Sequence, residues 1–117
     1  MSKKSKLLVR RISELVESSA ALRDLLVRYE RANIKLAKLI ERGEPGATAL
    51  VNLKTPLRRR EMTDVLQDFE AARHHVRLAL FALCLEEGAT MSEVGRALGI
   101  SRQLASRLAG EAEESDS

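Results

Sequence analysis

The sequence predicts an all-α protein, with a long N-terminal helix followed by a C-terminal helical bundle. Three observations carry that expectation. The apolar residues make up 44% of the 117 and are mainly Leu, Ala and Val, while the aromatics are confined to Tyr29, Phe69 and Phe81. Leu and Ala are strong helix formers. The two prolines, Pro45 and Pro56, stand close together and leave long stretches on either side unbroken. No window alternates apolar and polar residues long enough to argue a strand.

The first element is a helix over residues 6–42, ended by Gly43. Along it Leu8, Ile12, Leu15, Ser19, Leu22, Leu26, Tyr29, Asn33, Leu36 and Ile40 recur at alternating steps of four and three, an unbroken heptad register. Ile12, Ser19, Leu26, Asn33 and Ile40 take the a positions, and Leu8, Leu15, Leu22, Tyr29 and Leu36 take d. An Asn at one a position pairs with its twin across a parallel two-stranded coil and fixes the register. Residues 1–43 therefore read as a basic helix built to dimerise. Ile12, Leu15, Leu22, Leu26, Tyr29, Asn33, Leu36 and Ile40 are its expected seam. Val16, Leu25, Ala32, Ala37 and Leu39 widen the stripe, and a wide stripe also suits a helix inside a bundle, packed within or between subunits.

Residues 44–56 form a connector with turn residues at both ends. Its middle, 49–53, reads either as a helical turn or as a short extended arm. Thr55 and Pro56 fit an N-cap and first-turn pair for the next helix, expected over 57–87. That helix carries Val65, Leu66, Phe69, Ala72, Val76, Leu80, Leu83 and Cys84, and is apolar nearly all round between 78 and 85. Such a helix is buried on several sides. It is the natural support for the chain beyond Gly88, within a domain spanning 57–110.

Residues 91–108 are the most informative stretch. Thr90 with Glu93 three residues on is a capping box, opening a first helix in which Val94 and Leu98 share a face. Gly95 lies between them, where a second helix must pass close. Gly99 follows the last apolar residue, as expected of a residue in the left-handed conformation that ends a helix. Ile100 plugs the turn and Ser101 is a good N-cap for the second helix, expected over 102–109. Leu104, Ala105 and Leu108 form its buried face. Arg102, Gln103, Ser106 and Arg107 project to the other side, and all can hydrogen-bond phosphates or base edges.

This stretch resembles the helix-turn-helix of lac-repressor-type regulators, in which a small residue sits four before the turn glycine and Ser follows the turn hydrophobe. The family's Ser-x-Gln-x-x-Ser-Arg pattern stands here as Ser101, Gln103, Ser106 and Arg107. Site-specific recombinases and sigma-factor region-four domains carry similar motifs. The resemblance covers about a sixth of the chain, and the motif is C-terminal where the family's is N-terminal. It implies double-stranded DNA as partner and a DNA-reading role for the second helix. Arg102 and Gln103 would read bases, Ser106 a base or a phosphate, and Thr90, Arg96, Ser101 and Arg107 would hold the backbone.

Charge is unevenly spread. Residues 1–60 hold fifteen Lys or Arg against six Asp or Glu, a net of +9; residues 61–117 hold five against eleven, a net of −6. Between 90 and 110, Arg96, Arg102 and Arg107 outweigh Glu93. Dimerisation would double that modest footprint. Lys3, Lys4, Lys6, Arg10 and Arg11, or Arg58 to Arg60, could add phosphate contacts. Residues 111–117 read as an acidic tail that frays.

Other chemistries find no support in the sequence. Cys84 is the one cysteine, so no intrachain disulfide forms, and a structural thiol is expected there. His74 and His75 are adjacent and point to different sides of a helix, so no metal site and no cofactor is expected. No nucleophile sits beside a plausible base, which argues against an enzyme. The basic N-terminus lacks the apolar core of a signal peptide, and no run of about eighteen apolar residues exists to span a membrane. The expectation is a cytoplasmic, nucleoid-associated homodimer that regulates transcription, with repression favoured. Two alternatives are an adaptor that grips a protein partner in transcription or a toxin, and a nucleoid-type protein that coats DNA with little sequence preference.

Overall fold

The computed structural model describes residues 1–115. They form five helices and no strand: α1 (Lys3–Glu41), α2 (Gly46–Asn52), α3 (Thr55–Glu86), α4 (Met91–Leu98) and α5 (Arg102–Ser115). The helices distribute over two compact units. One holds Met1–Val16 and the chain from Ala71 onward; the other holds Glu17–Glu70.

In the unit of residues 17–70, the ambiguous connector is helical. The Ala49 amide donates to the Pro45 carbonyl at 3.0 Å, and Ala49 is fully buried. Asn52 Nδ2 donates to Glu44 Oε1 at 2.6 Å, tying the last turn of α2 to the residues before it. Lys54 then takes φ 52°, the one positive φ outside glycine among the described residues. After this reversal α3 starts at Thr55, two residues before the expected 57. Thr55 is the first residue of α3 rather than its side-chain cap, because its hydroxyl donates backward to the Leu50 carbonyl at 2.9 Å. Arg28 and Glu61 join α1 to α3 by a 2.7 Å ion pair.

In the other unit, the buried core is Phe81, Val94, Ala105, Leu108, Ala109 and Ala112. Phe81 of α3 is completely buried and stands at its centre. The expected stripe of α3 is therefore shifted. Ala72, Ala79 and Phe81 are the buried positions, whereas Leu80 and Leu83 are half-covered. Cys84 is also half-covered, packed at the edge of this core. Small residues at 105, 109 and 112 let α5 approach closely, since a helix lined with Ala presents almost bare backbone to its neighbour. Two polar braces join elements inside the unit. Lys4 Nζ lies 3.8 Å from Glu86, and His74 Nε2 lies 2.8 Å from Glu111 Oε2. The helix α5 runs well past 109, so residues 111–115 of the expected frayed tail are helical. Residues 116 and 117 lie outside the described residues.

The heptad stripe of α1 is not a single seam. Of its d positions, Leu8 is buried and Leu15, Leu22 and Leu36 are half-covered by the chain itself. Its a positions Ile12, Leu26, Asn33 and Ile40 are exposed, as is Tyr29. Asn33 Nδ2 instead donates to the Tyr29 carbonyl at 2.9 Å, one turn back on its own helix. The extra apolar positions explain the split: Leu25 is buried and Ala32 and Leu39 are half-covered, so the inward face rotates away from the a positions toward them.

Candidate nucleic-acid interface

The site is built from two helices and the turn between them. The start of α4 carries the full capping box. The Glu93 amide donates to Thr90 Oγ1 at 3.1 Å, and the Thr90 amide donates to Glu93 Oε1 at 3.3 Å. The Thr90 hydroxyl also donates to Glu93 Oε1 at 3.0 Å. These bonds give Thr90 a role at the helix start. Its amide and hydroxyl hydrogens are both spent inside the box, and a phosphate oxygen accepts only from a donor.

The end of α4 is a two-bond left-handed closure. Gly99 has φ 70° and ψ 33°, its amide donates to the Arg96 carbonyl, and the Ile100 amide donates to the Gly95 carbonyl, each at 3.1 Å. This is the Schellman pattern, in which two orphan carbonyls of the last turn are satisfied. The same pair of bonds ends α1 at Gly43 and α3 at Gly88. Ile100 is then placed against the core, as the apolar plug of the turn. Ser101 comes next. Its Oγ accepts from the Leu104 amide at 3.1 Å, which caps α5 and leaves the hydroxyl hydrogen available to donate outward.

Gly95 and Ala105 set the distance between the helices. A Cβ built on Gly95 would lie 3.0 Å from the Ala105 Cβ, closer than most real Cβ contacts, so the neighbouring helix would have to give by a few tenths of an ångström. With Val94, Ala105 and Leu108 turned into the core, the opposite face of α5 is exposed and carries Ser101, Arg102, Gln103, Ser106 and Arg107. Arg102 with Ser106, and Gln103 with Arg107, are neighbours at i and i+4. Arg96 of α4 is exposed too, and it lines one shallow notch together with Arg102 and Ser92. The structure thus places five of the seven expected residues, Ser101, Arg102, Gln103, Ser106 and Arg107, along the turn and the first two turns of α5, with Arg96 exposed on α4 and Thr90 at the start of that helix.

Charge along α5 opposes the helix dipole. Arg102 and Arg107 occupy its N-terminal half, whereas Glu111, Glu113 and Glu114 occupy its C-terminal half; the first turn holds no acidic residue and the last turn no basic one. The dipole favours the reverse arrangement by about 0.3–1 kcal/mol per charge at exposed positions. Sequence reasoning did not find two supports of this site. Phe81 hides in a helix that is apolar all round, and the His74–Glu111 pair joins residues 37 apart. Neither has a local sequence signal. No group of three or more His, Cys, Asp or Glu side chains suited to a metal ion occurs among the described residues. No helix among them is long and apolar enough to cross a membrane.

Compared with family models, curated proteins and solved structures, the chain matches none.

Proposed function

We propose that this protein binds double-stranded DNA sequence-specifically through α4 and α5 as a helix-turn-helix, and acts as a homodimeric transcriptional regulator, with repression favoured. The observation that carries this reading is the outward face of α5. Arginine and amide side chains crowd its N-terminal half against the helix dipole, on a helix whose other face is fixed by Gly95, Ala105 and Phe81. The dipole does not favour Arg102 in the first turn of α5, and an anion outside the chain, such as a phosphate, would offset that cost.

In this reading the N-terminal turn of α5 enters the major groove. Arg102 and Gln103 reach base edges, since Arg pairs with guanine and Gln with adenine in bidentate fashion. Ser106 contacts a base or a phosphate. Arg96, Ser101 and Arg107 hold the backbone. Exposed apolar side chains on α1, including Ile12, Leu26 and Ile40, supply surface for a second copy. A dimer would favour an inverted repeat with half-sites about 34 Å apart. Such a protein would work in the cytoplasm, at the nucleoid.

One observation favours a second reading. Glu111, Glu113 and Glu114 share α5 with the arginines, and residues 61–117 carry a net of −6, which repels phosphates. An adaptor that grips a protein partner through the same helices would tolerate that charge.

Selection of binding sites from random duplex DNA, with the mass of the protein followed by light scattering, separates the two. A palindrome recovered by a dimer is the expected result. No enrichment, with binding lost at moderate salt, rejects site-specific reading and turns the search to protein partners.

A further inference from the structure

We propose that the cavity formed by α1, α2 and the start of α3 binds a small organic anion with an apolar body, an aliphatic or aromatic carboxylate. The cavity measures about 420 Å³, within the size range of small-molecule sites. Its lining residues all fall between 29 and 63, inside a single compact unit. Leu36, Leu53 and Met62 give it apolar walls, and Tyr29 adds an aromatic body with a hydroxyl. Such a lining takes up hydrocarbon that water rejects.

The sign of the ligand is set by the arginines. Arg58 and Arg59 both line the cavity, and no carboxylate lines it. The nearby acids are committed elsewhere: Glu61 pairs with Arg28 at 2.7 Å, and Glu44 accepts from Asn52 at 2.6 Å. Arg58 is anchored by its Nε, which donates to the Leu53 carbonyl at 2.7 Å and leaves both terminal nitrogens to serve another acceptor. The Arg59 side chain makes no hydrogen bond or ion pair among the described residues. Arg58 and Arg59 bring two positive charges to an otherwise uncharged lining. A carboxylate supplies the counter-charge and forms charge-assisted hydrogen bonds with a geometry that Arg matches. An amine would meet like charge, and an alcohol would leave the arginines without a counter-charge.

This inference does not use the α4–α5 face, because none of its residues belongs to α4 or α5. The full chain is titrated with octanoate and with naphthoate, and in parallel with the alcohol and amine of each. Melting temperature and backbone amide resonances report binding. At least one carboxylate is expected to raise the melting temperature and to shift resonances within 29–63, while its alcohol and amine do neither. Arg59→Gln, at an exposed position that leaves the fold intact, is expected to weaken the carboxylate about tenfold, and Arg59→Lys to restore part of the loss. Equal binding of carboxylate and alcohol overturns the proposal, as does an Arg59→Gln protein that binds like the parent. Absence of carboxylate binding at millimolar concentration does the same.

Discussion

Gly95 faces Ala105 so closely that a Cβ on Gly95 would lie 3.0 Å from the Ala105 Cβ. Ala105 has no flexible side-chain end to move aside, so a large side chain at 95 must push the two helices apart. Gly95→Leu is therefore expected to destabilise the protein by about 1–3 kcal/mol, the usual cost of overpacking. A lowered denaturation midpoint in urea with an unchanged slope checks this; an unchanged midpoint means that the helices are not held at this distance. Arg102 belongs to the same scale. Under the proposed function, Arg102→Ala costs about 1–3 kcal/mol on the preferred duplex and relaxes selectivity at one base pair. Parallel titrations on preferred and random DNA decide it. Equal weakening on both makes Arg102 a phosphate contact instead of a base reader.

Helix by helix, legibility tracks how local the determining interaction is. The α4–turn–α5 segment is readable almost residue by residue. Its capping box, glycine closure and N-cap all act within five positions, and Thr90, Gly99 and Ser101 make the expected local bonds. The α2 helix is not readable, because burial of Ala49 and the reversal at Lys54 depend on neighbouring helices rather than on propensity. Nor can periodicity alone orient α1. Its apolar positions exceed one face, and only packing shows that Leu8, Leu15, Leu22 and Leu36 turn inward while Ile12, Leu26 and Ile40 stay exposed. A dimer that uses α1 must then use the exposed set. Under the proposed function, Leu26→Lys is expected to convert the dimer to a monomer in light scattering and to leave the helical content unchanged. A dimer mass that survives this change places the interface elsewhere.

Across the whole molecule, the two halves of the sequence carry opposite charge, +9 over residues 1–60 and −6 beyond. The chain thus has an electrostatic asymmetry that its overall +3 conceals. If α5 binds a duplex, the logarithm of the affinity falls linearly with the logarithm of salt concentration, with a slope of about −0.9 per phosphate contact. Neutralising Arg107 with Gln is expected to reduce that slope by about 1 for each subunit engaged, and to weaken all sequences alike. Equilibrium titrations at several salt concentrations measure it. An unchanged slope takes Arg107 off the phosphate backbone.

The residues that hold α5 in place and those it displays are disjoint sets. Ala105, Leu108, Ala109 and Ala112 meet the core, while positions 102, 103, 106 and 107 are exposed and stand outside it. Variation at these four positions is thus uncoupled from folding. A combinatorial library randomised there is expected to consist mostly of folded members with near-parental melting temperatures, since surface substitutions rarely move stability by more than about 0.5 kcal/mol. Under the proposed function, lineages of such a chain could drift among target sites without passing through unfolded intermediates, and a designer could walk the same neutral route deliberately.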